Sequence, residues 1–263
     1  MNFKSTKDGH IEKLFLKNGY YKQKIHNKKK LIELRNKILK IANQSNFVKE
    51  PLRDLNNIHK FISKSQINSF RLEVINNLNL SKQIKKAYYM ISKDLLYNIV
   101  GNELMMQKNL NLSIQMPNDE TSLLPIHSDV WSGDSPYEAN IWLPLVDCYK
   151  TKSMYILNQK YYNFFINIIK KNKITNSEEI YNMLKKKLTW INIKFGEILI
   201  FNQSLPHGNI VNKENTTRWS FNCRFKSIGS TYADKKVGEF FLPIKLKPMT
   251  QIGLNYKDPF SNE

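Results

Sequence analysis

Near residue 105 the spacing of apolar side chains changes from the period of a helix to that of a strand. No other feature constrains the fold as much. Upstream, Leu31, Leu34, Ile38 and Ile41 recur at helical intervals, as do Ile84, Ala87/Tyr88, Ile91, Leu95 and Ile99. Ser81 is placed to cap the second of these helices and Gly101 to stop it. Pro51 to Asn79 has room for two shorter helices, so residues 1–104 read as mainly helical support. Downstream, Met106, Lys108, Leu110, Leu112, Ile114 and Met116 alternate with Gln107, Asn109, Asn111, Ser113 and Gln115. That is a strand with two unlike faces.

Two later stretches alternate in the same way. Glu138, Asn140 and Trp142 share one face against Ala139, Ile141, Leu143 and Leu145. Arg218, Ser220, Asn222 and Arg224 oppose Trp219, Phe221, Cys223 and Phe225. The apolar faces suit packing on helices. The polar faces are costly to bury dry, since an unpaired amide costs about 1–3 kcal/mol and a buried guanidinium needs an anionic partner. They look either to solvent or to a polar interior. Residues 159–188 return to helical spacing through Tyr161, Phe164/Phe165, Ile168 and Ile169, with Asn176…Glu179 or Thr175…Glu178 as a cap. Residues 226–263, with Pro243, Pro248 and Pro259, read as an irregular C-terminal wrap. The fold class expected is α+β in one domain, helices 1–104 against a core of strands at 105–225.

Charge excludes less than its size suggests. The net +19 comes almost wholly from Lys spread along the chain, and the densest runs, Lys28–Lys30 and Lys185–Lys187, read as solvated helix faces. No nucleic-acid partner is expected. A positive field does favour an anionic substrate, such as a nucleotide-linked sugar. No stretch reaches the eighteen or so apolar residues of a membrane helix, and the first ten residues lack the apolar centre of a signal peptide. Two cysteines give no disulfide framework, so a cytoplasmic location is expected. Oligomeric state is open.

Chemistry concentrates at Ile126-His127-Ser128-Asp129-Val130. By itself His-x-Asp is weak: with five His and nine Asp in the chain, chance supplies roughly 0.2 such pairs. A turn in which Asp accepts backbone hydrogen bonds describes it equally. Its support stands 78 residues beyond Asp129, in Phe195-Gly-Glu-Ile-Leu-Ile-Phe-Asn-Gln-Ser-Leu-Pro-His207-Gly-Asn209. An apolar strand stops there, turns through Pro206 and presents His207. Two imidazoles and one carboxylate can occupy one face of an octahedral ferrous ion and leave the other face open. Eleven positions on, Arg218 opens a strand with Ser220 at the alternate place. Only five of the 41 basic residues are Arg, and Arg offers a rigid fork that grips a carboxylate at two points. An ordinary ion pair explains that position as well.

With these residues in view the chain resembles the 2-oxoglutarate/Fe(II)-dependent oxygenases. It is closer to their phytanoyl-hydroxylase-like branch, and within it to the StrG-like enzymes of carbohydrate and aminoglycoside clusters. The resemblance runs from about Asn109 to Phe225. It implies a double-stranded β-helix flanked by the N-terminal helices. It also implies His127, Asp129 and His207 as iron ligands, and Arg218 and Ser220 holding the far carboxylate of 2-oxoglutarate. It brings Asn111 and Gln115 toward that cosubstrate. For a small, carbohydrate-type substrate, Trp131, Asn140, Trp142 and Arg224 are candidates; Trp142 suits a core position and Trp131 ordinary packing equally well. Relatives commonly carry Gly-Ser-His where Leu157-Asn158-Gln159 stands here, so the lid does not transfer. Two other functions share part of this pattern: a metal-dependent cupin-type sugar isomerase, and a catalytically silent carbohydrate-binding barrel.

Overall fold

The computed structural model describes residues 6–174, 176–257 and Pro259. The N-terminal part supplies α1 (Thr6–Asn18), β1 (Tyr20–Lys24), α2 (Lys28–Asn43), α3 (Ile67–Leu80) and α4 (Lys82–Ile99). The core supplies β2 (Leu104–Gln107), β3 (Asn111–Gln115), β4 (Ala139–Pro144) and β5 (Tyr155–Leu157). Then come α5 (Tyr162–Asn172), α6 (Ser177–Leu184), β6 (Leu188–Trp190), β7 (Glu197–Asn202), β8 (His207–Gly208) and β9 (Arg218–Ser227). β10 (Phe241–Lys245) and α7 (Pro248–Leu254) follow. The architecture is α+β.

The strands form two antiparallel sheets. The larger runs β1-β7-β4-β9-β2-β10, with β3 also on β9; the smaller runs β6-β5-β8. Helices α2, α3 and α4 cover the apolar face of the large sheet. Leu31, Leu34 and Ile38 of α2 and Ile84, Tyr88 and Leu95 of α4 are buried against it, as the helical spacing requires. From β9, Trp219 meets Phe70 of α3 edge-on, while Phe221 and Phe225 pack on Tyr88. Ser81 caps α4 by accepting from the Ile84 amide.

Four expectations change. The region read as mainly helical holds β1, which pairs with β7 at the edge of the large sheet. The strand expected to run unbroken from Met106 to Met116 is interrupted at Lys108–Leu110. Both halves still lie along β9, with Met106 opposite Phe225 and Gln115 opposite Arg218. The break has a tertiary cause: the Leu110 amide and carbonyl are taken by the Asn79 side chain of α3, not by a ladder. Pro51–Asn79 holds one full helix, α3, and a single 3-10 turn at Ile58–Lys60. The C-terminal wrap is more ordered than expected, since β10 pairs with β2 and α7 follows.

The helical insertion at 159–188 forms α5 and α6, with Asn176 capping α6 by accepting from the Glu179 amide. The alternative cap, Thr175, lies outside the described residues.

Candidate active site

A cavity of about 480 Å3 is lined from both sheets, with α3 and the 121–124 segment closing one side. His127 and His207 face each other across an isolated bridge that continues the small sheet, each amide donating to the other's carbonyl at 2.9 and 2.8 Å. Residues directly opposite in an antiparallel pair project to the same face. The imidazoles therefore lie together, ring centres 4.4 Å apart. Asp129, two positions from His127, is on that face too, its amide donating to the Gln203 carbonyl. Gly208 permits the approach: a Cβ there would sit 2.7 Å from Leu124 O and Tyr155 Oη.

The three side chains converge. Asp129 Oδ1 is 3.5 Å from His127 Nε2 and 3.9 Å from His207 Nε2, and one ligand atom from each lies within 4.8 Å of the others. Each Nδ1 is turned onto a carbonyl at 2.8 Å, that of Pro125 for His127 and Leu205 for His207. The ring proton belongs on Nδ1 in both, which leaves both Nε2 lone pairs at the convergence point. Burial pulls the His207 pKa down to about 4. Burial acts the same way on His127, but its hydrogen bonds to Asp129 and to the Pro125 carbonyl outweigh it and leave the value raised. Asp129 is buried, yet His127, His207 and Arg224 hold its carboxyl well below the usual range. A divalent metal ion there would displace the proton that His127 shares with Asp129, and two neutral imidazoles and an ionised carboxylate could then hold it.

At the other end, Arg218 is 3% exposed. Its Nη1 donates to Ser153 O at 3.1 Å and its Nη2 to Ser113 Oγ at 2.8 Å. Nε has no partner, and no carboxylate pairs with this guanidinium among the described residues. Burial draws its pKa down to about 10. Ser220, on the same face of β9, carries a buried hydroxyl without a partner.

Of the other expected site residues, Asn111, Asn140, Trp142 and Arg224 line the cavity. Gln115 is fully buried and outside the lining, its amide nitrogen on Ile210 O. Trp131 is half-exposed in the 3-10 turn after Ser128 and stacks near Phe165 of α5, also away from the lining. Arg224 meets two acids of the chain, one of them in the triad: its Nη2 is 3.1 Å from Asp129 Oδ1 and its Nε 3.2 Å from Asp134 Oδ1.

Sequence reasoning passed over Asn222, Asn209, Asp134 and Arg71. Asn222 had a signal, its place on the polar face of the 218–225 alternation. Asp134 draws Lys235 into an ion pair, so the C-terminal segment reaches the charges behind the site.

No family model matches the chain, and no curated protein matches it in sequence. Solved structures do. A nickel complex of the non-heme monooxygenase ThoJ superposes with a TM-score of 0.59 at 12% identity, covering 90% of this chain and 84% of that one. HygX from Streptomyces hygroscopicus, with nickel and 2-oxoglutarate bound, gives 0.57 at 10%, covering 89% and 90%. SnoK, a non-heme alpha ketoglutarate dependent carbocyclase from nogalamycin biosynthesis, gives 0.51 at 9%, covering 92% and 97%. At such identities the likeness establishes a shared fold.

Proposed function

We propose that the protein is a 2-oxoglutarate- and Fe(II)-dependent oxygenase in a single domain, its two sheets forming the walls of a double-stranded β-helix. The observation that carries this reading is the pairing of two features in one cavity. His127, Asp129 and His207 converge at one end, and a buried guanidinium that no carboxylate pairs among the described residues stands at the other. The donor set suits ferrous iron, because two imidazoles and one carboxylate leave three positions open. A sugar isomerase of cupin type would use the same donors but has no task for Arg218.

Arg218 takes the distal carboxylate of 2-oxoglutarate through its fork, with the Ser220 hydroxyl beside it. A dianion there answers a charge the fold leaves unpaired. Asn111 on the same wall is a further donor toward the cosubstrate; Gln115 acts from behind it, as a support. With both groups bound, the iron and 2-oxoglutarate supply an oxidant able to take hydrogen from an unactivated C–H, with release of succinate and CO2. The chain's part is orientation and exclusion of water. Leu112, Ile114, Trp142, Met154 and Phe201 give the cavity dry walls. Asn68, Asn111, Thr121, Ser122, Asn209 and Asn222 give it a rim of neutral donors and acceptors. That lining suits a small, hydroxyl-rich substrate of carbohydrate type, neutral or anionic, rather than a cation.

The spacing of the motif favours the phytanoyl-hydroxylase-like branch and its StrG-like members. No described helix is long and apolar enough to cross a membrane, and both cysteines are free and buried. Both facts suit a cytoplasmic enzyme. The test is anaerobic addition of Fe(II) and 2-oxoglutarate, watched for the weak visible charge-transfer band, then succinate release under O2. Both are expected in the wild type, and both vanish in Arg218→Ala. Metal uptake without 2-oxoglutarate binding would overturn the oxygenase reading in favour of an isomerase.

A further inference from the structure

Asn140 of β4 and Arg224 of β9 stand directly opposite in the antiparallel ladder, so their side chains leave the sheet side by side. Both end on Asp129. Asn140 Nδ2 donates to Oδ2 at 3.3 Å, and Arg224 Nη2 lies 3.1 Å from Oδ1. Oδ1 is also the oxygen that faces the two imidazoles. One carboxylate is thus gripped at both oxygens by two cross-strand neighbours.

Neither grip is loose. Arg224 Nε faces Gln203 Oε1 at 3.1 Å and Asp134 Oδ1 at 3.2 Å, and its Nη1 donates to Gln107 Oε1 at 3.3 Å. Asp134 is held in turn by Lys235, and Gln203 by the carboxylate of Glu138 at 2.8 Å. Asn140 is 2% exposed. Turning its amide over would set two oxygens face to face, so the carboxylate fixes its orientation and sends its Oδ1, which has no partner, the other way.

We propose that Asn140 and Arg224 are positioning residues that hold Asp129 as a one-oxygen ligand; this rests on the metal reading of the His127–Asp129–His207 site. A carboxylate can bind a metal ion through one oxygen or both. Three protein donors leave three of six positions, and a chelating cosubstrate plus O2 need all three. Binding through both oxygens of Asp129 would take one away. To turn its second oxygen to the ion, Asp129 would have to break the buried amide hydrogen bond on Oδ2, and among the described residues no other side chain donates there. Arg224 meanwhile holds Oδ1, the oxygen that faces the imidazoles. Such outer partners orient a ligand and set what the metal can accept.

The experiment loads wild type, Asn140→Leu, Arg224→Gln and Arg224→Lys with Ni(II). Crystal structures give the Asp129 oxygens within bonding distance, and calorimetry gives affinities for Ni(II) and then for 2-oxoglutarate. The wild type is expected to show one bonded oxygen and Asn140→Leu two. In Asn140→Leu, 2-oxoglutarate affinity falls about tenfold or more, and by a larger factor than Ni(II) affinity does. Arg224→Gln moves in the same direction, and Arg224→Lys recovers part of the loss. Should Asn140→Leu not fold, Asn140→Ser, which also cannot reach Oδ2 with an amide, serves in its place. One bonded oxygen in every variant, or two in the wild type, overturns the proposal. Failure of the underlying metal reading looks different: the wild type takes up no Ni(II), or uptake survives Asp129→Ala.

Discussion

Of the three arginines that line the cavity, Arg71 and Arg218 are treated by the fold in opposite ways. On the α3 wall, Arg71 spends its donors within the protein: Nε on Ile114 O at 2.8 Å, Nη1 on Asn68 Oδ1 and Thr121 Oγ1 at 2.7 Å, and Nη2 on the Asp119 carboxylate. On the β9 wall, Arg218 is more deeply buried yet has only two neutral oxygens, Ser153 O and Ser113 Oγ. Burial draws its pKa to about 10, and Arg71 adds repulsion. A charge taken from water without a counter-charge costs several kcal/mol. A paired buried arginine braces a wall, whereas an unpaired one stores a demand that an arriving anion meets.

The comparison breaks most visibly in stability. Arg71→Leu strands a buried Asp119 and is expected to cost about 3–5 kcal/mol in urea unfolding. Arg218→Leu, in the same cavity, should lie within about 1 kcal/mol of wild type, because it removes a charge that was never paired. Equal losses would make Arg218 structural.

Ligand binding sharpens the same contrast. Arg218→Leu should weaken 2-oxoglutarate binding to the metal-loaded protein about 100-fold, roughly 2.7 kcal/mol, read by calorimetry. Arg218→Lys should fall between, since a point charge cannot copy the fork. In wild type, 2-oxoglutarate at 100 times its Kd should raise unfolding stability by about 2.7 kcal/mol, and in Arg218→Leu at the same concentration the rise should nearly vanish. A full rise in that variant would put the anion elsewhere.

What the sequence made legible follows from how far apart the cooperating residues lie. The convergence of the triad could be read because His127 and Asp129 lie two positions apart and His207 closes a Gly-led apolar run. That Arg218 and Ser220 share one face of β9 could be read from the alternation. The pairing Asn140↔Arg224 could not, since register between strands 84 positions apart leaves no local trace. The break at Lys108–Leu110 was hidden for a similar reason: its cause is Asn79, a side chain on a helix. β1 was missed because Tyr20–Lys24 carries no buried residue, only an edge-strand pattern of partly covered and exposed positions.

The smallest expected effect tests whether the Arg218 end is short of negative charge as a region. His59 sits in the 3-10 turn at Ile58–Lys60, with Nδ1 3.0 Å from Thr217 Oγ1, next to Arg218 in the chain. Burial lowers its pKa, Lys60 and Lys152 push the same way, and Asp54 opposes too weakly to reverse it. A histidine whose folded pKa lies below its unfolded value near 6.5 binds its proton more readily when unfolded. Its contribution is therefore complete above that value and is lost as pH falls through the lower folded one. His207 and His127 shift in opposite directions, so the useful quantity is the difference between wild type and His59→Gln, whose amide can keep the Thr217 contact. From about pH 7.5 to 5.5 the wild-type melting temperature should fall slightly more than the variant's. Saturating 2-oxoglutarate should shrink that gap, because a dianion at Arg218 offsets the added proton. A gap that ignores the ligand would mean His59 senses only its own turn, and the shortage of negative charge would then end at Arg218 itself.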